Sequence, residues 1–105
     1  MTTAAPECLL RVARVADLPE REGRSVVVGG EEIAVFRCDS GIRAVSNACP
    51  HAGGPLADGI VAGDTVTCPL HGRAVDLLSG EVTDCATPVR VHPVMVRDGF
   101  IYLMR

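Results

Sequence analysis

Residues 49–72 decide the fold: they begin Cys49-Pro50-His51-Ala52-Gly53-Gly54-Pro55-Leu56 and end Cys68-Pro69-Leu70-His71-Gly72. Each half offers one thiolate and one imidazole, and in each half a proline directly follows the cysteine. The prolines and the nearby glycines favour short, stiff loops. Two mixed Cys/His loops that face each other predict a metal site, whose candidate ligands are Cys49, His51, Cys68 and His71.

Two kinds of metal centre use two cysteines and two histidines. A structural zinc site usually pairs Cys with Cys and His with His at spacings that suit a helix. Here each pair is mixed, and the single residue between Cys49 and His51 suits an extended loop. A two-iron cluster can take both thiolates on one iron and both imidazoles on the other. The pattern therefore favours the iron–sulfur cluster, with structural zinc as the alternative.

The same residues resemble the Rieske [2Fe-2S] family, whose motif is Cys-x-His followed by Cys-x-x-His. The resemblance implies one [2Fe-2S] cluster held by Cys49, His51, Cys68 and His71. It also implies an all-β, Rieske-type fold, an antiparallel β-sandwich into which a cluster-binding subdomain is inserted at about residues 46–83. Residues 1–105 are then a single domain.

Composition agrees with a small β-domain. The 105 residues are 48% hydrophobic but contain no Trp, one Tyr and two Phe, so the core must be aliphatic. Fifteen valines and eleven glycines favour short strands joined by tight turns. The formal net charge of −3 gives no reason to expect a nucleic acid or an anionic membrane as a partner.

The N-terminus and the cysteines bear on the compartment. No apolar run approaches the roughly 20 residues that span a bilayer, and residues 1–8 lack the basic start of a signal peptide. The cysteines outside the motif are Cys8, Cys38 and Cys85, an odd number that argues against a disulfide framework. We predict a cytoplasmic protein in which these three are packing or surface residues.

The remaining sequence reads as short strands. Residues 33–36 are apolar on both faces, which predicts a central strand. Residues 89–97 alternate, so that valines would share one face and His92 would lie on a polar surface with Arg90 and Arg97. The candidate strands are 9–15, 25–28, 31–38, 42–46, 59–61, 65–67, 74–77, 81–83, 89–97 and 100–104. Hairpins are predicted at 25–38, with its turn at Gly29-Gly30, and at 59–67, and residues 74–77 are predicted to pair with 81–83.

Some features of the cluster loops separate members of the family. Replacing two thiolates of a four-thiolate cluster by neutral imidazoles makes the cluster less negative and raises its reduction potential. The high-potential respiratory members add a disulfide between the loops and a Ser that donates to a sulfide. Gly54, Leu70 and Arg73 stand at those positions here, so the chain resembles the soluble, lower-potential Rieske ferredoxins. Residues 84–88 form a third loop, which either covers the flank of the cluster or simply starts the next strand.

Two groups of Rieske proteins resemble the chain. Residues 46–56, 66–71 and 76–80 are more similar to the small subunit of NAD(P)H-dependent assimilatory nitrite reductase, although Arg73 and Val75 replace aromatics common in both groups. That resemblance implies a larger flavin- and siroheme-containing subunit that reduces nitrite to ammonium. The alternative is the ferredoxin component of a ring-hydroxylating oxygenase, whose partners are a ferredoxin reductase and the oxygenase. In either case we predict a redox subunit without a substrate site of its own.

Overall fold

The computed structural model of the chain describes residues 9–47, 55–69, 72–83 and 85–104. Within these ranges the regular structure consists of short strands and two single-turn 3-10 helices, Val15–Asp17 and Leu56–Asp58. The strands, β1 to β10 in chain order, are Leu9–Arg14, Gly23–Val28, Glu31–Cys38, Gly41–Ser46, Ile60–Ala62, Thr65–Thr67, Ala74–Asp76, Val91–His92, Val94–Arg97 and Phe100–Met104.

The strands form three antiparallel sheets, which confirms the prediction of an all-β fold. The orders are β1-β10-β9, β2-β3-β4-β8 and β5-β6-β7. Gly29 and Gly30 join β2 to β3 with φ of 58° and 81°, a left-handed conformation that glycine adopts without a steric penalty. The third sheet comes from residues between β4 and β8 in the chain. It is called the inserted sheet, and the other two sheets are called the base.

β3 is the central strand that residues 33–36 predicted. It pairs with β2 on one side and β4 on the other, and all four residues are buried. Ile33 and Val35 pack with Ile101 of β10, whereas Ala34 and Phe36 contribute to a second core. Because successive side chains of a strand point to opposite faces, β3 separates two hydrophobic cores.

The second core joins the large sheet to the inserted sheet. Phe36 belongs to the same buried cluster as Val66 of β6 and Val75 of β7. Val75 of β7 also forms an antiparallel bridge with Val82. Beside it, the Asp76 N–H donates to the Glu81 carbonyl oxygen at 2.8 Å. The predicted pairing of residues 74–77 with 81–83 is therefore confirmed, and this shared core fixes the inserted sheet against the base.

The prediction for residues 89–97 is wrong. Pro93 divides this stretch: the two residues of β8 pair with β4, and β9 pairs with β10 in a different sheet. The alternation of buried and exposed residues is lost where the chain passes from one sheet to the other. Val91 and Val96 are 36% and 49% exposed, whereas His92 is only 6% exposed. His92 is thus a buried residue and not a surface one.

The structure also bears on the prediction that no segment crosses a membrane. Across the four described ranges, no helix has the length and apolar character needed to span a bilayer.

Candidate metal centre

Of the four predicted ligands, the structure describes Cys68. Cys68 directly follows β6, is 2% exposed and is a free thiol. Cys49, His51 and His71 lie outside the described residues, so their assignment as ligands stays a prediction. The segments that lead into and out of both loops are described, and they show how the loops are held.

Backbone hydrogen bonds close the second loop at both of its ends. The Cys68 N–H donates to the Arg73 carbonyl oxygen at 2.8 Å, and the Gly72 N–H donates to the Cys68 carbonyl oxygen at 3.0 Å. Gly72 has φ of 71°, a left-handed conformation that a side chain would strain. The Cys68 thiol therefore stands at the head of a closed loop, against the core that contains Val66 and Val75.

The first loop, residues 48–54, leaves and rejoins the described structure at Asn47 and Pro55. The Leu56 N–H donates to the Asn47 carbonyl oxygen at 3.1 Å. The Ala57 N–H donates to Asn47 Oδ1 at 2.8 Å. Asn47, 4% exposed, thus holds the two ends of the loop together.

Asn47 is itself hydrogen-bonded to Glu32, the second residue of β3. Its backbone N–H donates to the Glu32 carbonyl oxygen at 3.0 Å, and Nδ2 donates to Glu32 Oε1 at 3.0 Å. Neither residue was a candidate in the sequence. The signal that could have found them is a polar residue at the end of one strand, next to a carboxylate on the strand paired with it.

A second polar cluster lies one residue earlier in the chain. Ser46 Oγ donates to Glu31 Oε2 at 3.0 Å and lies 3.2 Å from His92 Nε2, which is 3.4 Å from the same carboxylate oxygen. A hydrolytic triad needs the carboxylate on the second ring nitrogen of the histidine. Here the carboxylate contacts the serine and the same nitrogen, so this arrangement joins β3, β4 and β8 structurally.

The β5–β6 hairpin connects the two loops. Ile60 pairs with Thr67 and Ala62 with Thr65, so the predicted hairpin at residues 59–67 is confirmed. Its turn is tied to the turn between β3 and β4, because the Ser40 N–H donates to Asp64 Oδ1 at 2.9 Å. A hydrogen bond from the Ser40 side chain, and after it this backbone bond, lower the pKa of Asp64 below its ordinary value.

The structure places two of the three remaining cysteines. Cys38 is buried, and its thiol donates to the Gly41 carbonyl oxygen at 3.2 Å, which confirms a packing role. Burial, followed by the neighbouring Asp64, raises the pKa of this thiol. Cys85 is partly exposed, with Sγ 3.5 Å from the Thr87 carbonyl oxygen. Cys8 lies outside the described residues.

Arg73 and the third loop lie beside the inserted sheet. Arg73 is half-buried, and its Nη1 donates to the Thr83 carbonyl oxygen at 3.1 Å. A cavity of about 550 Å³ is lined by Thr65, Asp76, Thr83, Cys85 and Pro88, among others. Asp84, the first residue of the predicted third loop, lies outside the described residues. That this loop covers a cluster therefore stays a prediction.

The donor chemistry fits an iron–sulfur cluster. A buried, unpaired thiol is a soft ligand of the kind that iron–sulfur clusters use. Cys68 supplies such a thiol at the head of a loop that its own backbone closes. Both ends of the other loop meet at Asn47. The described structure thus places one candidate ligand, Cys68, and shows hydrogen bonds that hold the ends of the two segments in which the other candidates lie.

Comparison with known proteins gives a consistent result. The family model of the Rieske [2Fe-2S] domain matches residues 8–94. The anthranilate 1,2-dioxygenase ferredoxin subunit of Burkholderia cepacia is 35% identical over 88 residues, which cover 81% of each chain. The ferredoxin component of the naphthalene 1,2-dioxygenase/salicylate 5-hydroxylase systems of Ralstonia is 31% identical and covers 78% of this chain and 81% of its own.

Solved structures of two kinds share the fold. A chain in the complex of reduced oxygenase and oxidised ferredoxin in carbazole 1,9a-dioxygenase aligns with a TM-score of 0.82 and 31% identity, over 90% of this chain and 99% of that one. A Mycobacterium tuberculosis protein assigned as an NADH-dependent nitrite reductase small subunit aligns with a TM-score of 0.86 and 27% identity, over 96% and 97% of the two chains.

Proposed function

Because this chain belongs to the Rieske [2Fe-2S] domain family, we propose that it is the ferredoxin component of an oxygenase system and carries single electrons from a reductase to the oxygenase. It is a Rieske-type electron-transfer protein with one [2Fe-2S] cluster, which accepts and releases one electron at a time. The observation that carries the finer assignment is the 31–35% identity to oxygenase ferredoxins over most of both chains.

We assign the cluster ligands to Cys49, His51, Cys68 and His71. The buried free thiol of Cys68 and the closed loop behind it support this assignment. So does the anchoring of residues 48–54 at both ends, because a fixed ligand loop limits the rearrangement that accompanies electron transfer. The chain's own contribution is to hold the ligands still and to keep the Cys68 sulfur away from bulk water.

A second candidate function is the small subunit of NAD(P)H-dependent nitrite reductase. It is favoured by the alignment with the Mycobacterium tuberculosis protein, which covers 96% of this chain at a TM-score of 0.86. Residues 46–56 and 66–71 also resemble that group more than the oxygenase ferredoxins. Under this candidate the electron acceptor is a larger subunit with flavin and siroheme, and the same four ligands serve.

Rapid-mixing measurements with purified components distinguish the two candidates. The reduced protein is mixed with an oxygenase component and, separately, with a nitrite reductase large subunit, both from the same host, and reoxidation is followed by absorbance. We expect fast reoxidation by the oxygenase alone. Reoxidation by the nitrite reductase subunit alone would establish the second candidate. Metal analysis of the starting protein that finds zinc and no labile sulfide would contradict both.

A further inference from the structure

Asn47 occupies a position in which all of its polar groups are used. Its N–H and Nδ2 donate to Glu32, one to the carbonyl oxygen and one to Oε1, each at 3.0 Å. Its carbonyl oxygen accepts from the Leu56 N–H at 3.1 Å, and its Oδ1 accepts from the Ala57 N–H at 2.8 Å. With Asn47 only 4% exposed, loss of its side chain would leave the Ala57 N–H without this acceptor in a place that water reaches poorly.

Hydrogen bonds and burial hold the chain on either side of residues 48–54. Ser46 and Asn47 follow each other at the end of β4, and each is bound by one of two consecutive carboxylates, Glu31 and Glu32. On the far side, Leu56 and Ala57 are buried in the core that also contains Phe36. Asn47 is the residue through which the strand end and the buried 3-10 helix contact each other by hydrogen bonds.

We propose that Asn47, oriented by Glu32, is a positioning residue for the first cluster loop, and that its two side-chain hydrogen bonds, to Ala57 and to Glu32, set both the retention of the cluster and its reduction potential. This inference rests on the proposed function, because it takes Cys49 and His51 as ligands. The hydrogen bonds of Asn47 go to Glu32, Leu56 and Ala57, none of which is a candidate metal ligand.

The physical argument concerns the span of the loop. A loop whose ends are held at a fixed separation has few conformations, so its ligands stay close to the geometry that the iron requires. When the side-chain hydrogen bonds of Asn47 are lost, the ends of the loop gain conformational freedom. Ligand exchange then becomes easier, and water reaches the cluster sulfurs more often. Solvent exposure and hydrogen bonding around the sulfurs are among the factors that set the potential of an iron–sulfur cluster.

The test compares four variants of the cluster-loaded protein. Asn47→Ala removes both side-chain bonds, and Asn47→Asp keeps the acceptor for the Ala57 N–H but loses the donor to Glu32. Glu32→Gln keeps an acceptor oxygen for Asn47 Nδ2, and Glu32→Ala removes it. Two quantities are measured for each, the reduction potential by voltammetry and the rate of iron release to a chelator.

We expect Asn47→Ala to have a shifted potential and to release iron about 10- to 100-fold faster than the unchanged protein, a factor that matches the loss of metal affinity when residues supporting metal ligands are removed. Asn47→Asp and Glu32→Ala should have rates of iron release between those of Asn47→Ala and the unchanged protein. Glu32→Gln should stay close to the unchanged protein in both rate and potential. If Asn47→Ala does not fold, Glu32→Ala carries the test, because Glu32 is exposed and its truncation leaves the core intact.

Ile101→Val controls for a general loss of stability, since Ile101 is buried in the core that contains Ile33 and not in the one that contains Leu56 and Ala57. The inference is overturned if Asn47→Ala and Glu32→Ala release iron no faster than Ile101→Val and keep the unchanged potential. In that outcome the unchanged protein still carries iron and sulfide, so the proposed function stands. An unchanged protein that binds neither iron nor sulfide overturns the proposed function and, with it, this inference.

Discussion

Gly59 and Thr67 approach each other so closely that a Cβ atom on Gly59 would overlap the Thr67 carbonyl oxygen. Gly59 ends the 3-10 helix that follows the first loop, and Thr67 immediately precedes Cys68. The pair therefore sets how close the exit of one cluster loop lies to the entry of the other. The φ of Gly59 is −77°, which any residue can adopt. Glycine is therefore required here by the lack of space for a side chain and not by its backbone conformation.

Gly59→Ala should lower the free energy of unfolding by about 1–3 kcal/mol, the usual cost of forcing extra atoms into a packed site. Denaturant unfolding of the purified protein measures this. Gly63→Asn is the matched control: Gly63 has φ of 59° and open space around it, and asparagine tolerates that conformation. Equal stabilities of Gly59→Ala and the unchanged protein would show that the backbone can separate at this point without cost.

Cys68→Ser should remove the cluster and destabilise the inserted sheet, because ligand binding at such a site also contributes folding free energy. Iron and sulfide content, the visible spectrum and the melting temperature report the loss. Cys38→Ser and Cys85→Ser serve as controls that should keep the spectrum. A Cys68→Ser protein with an unchanged spectrum would mean that Cys68 is not a ligand.

The stability of the protein should fall at alkaline pH through Cys38. Burial raises the pKa of its thiol, so the protonated form is favoured in the folded state. This contribution is complete below the thiol pKa of the unfolded chain, about 8.5, and is lost as the pH rises through the raised pKa of the folded state. Unfolding midpoints measured from neutral to alkaline pH should decline less steeply for Cys38→Ala. Identical slopes for the two proteins would argue against a buried, protonated thiol.

Acid should weaken the hydrogen bonding between Ser40, in the β3–β4 turn, and Asp64, in the β5–β6 turn, and so lower the stability of the protein. Because the Ser40 side chain and, after it, the Ser40 backbone N–H donate to this carboxylate, the pKa of Asp64 is lowered in the folded state. Its stabilising contribution is present above the ordinary value of about 3.9 and is lost as the pH falls through the lowered pKa. Asp64→Asn should therefore show less loss of stability between mildly and strongly acidic pH. Acid unfolding followed by circular dichroism tests this, with the exposed Asp98→Asn as the control.

Local sequence was sufficient wherever the structure depends on neighbours in the chain. The turn glycines Gly29 and Gly30 and the hairpin at 59–67 adopt the predicted pairing, because turn chemistry and strand alternation act over a few residues. The motif that begins at Cys49 and ends at His71 likewise predicted the Rieske [2Fe-2S] family, which the family model confirms. Its ligand chemistry depends on residue type and spacing, which are properties of the sequence itself.

Tertiary structure alone decided the environment of Asn47 and His92. Asn47 is hydrogen-bonded to Glu32, which is 15 residues away in the chain. His92 contacts Ser46 at a separation of 46 residues. Both contacts depend on a strand register that no local pattern specifies. The alternation of residues 89–97 suggested a polar surface for His92, yet Pro93 moves the chain from one sheet to another, so the face on which His92 lies is buried against β3 and β4. Burial is a property of what packs against a strand, and the strands concerned are distant in the sequence.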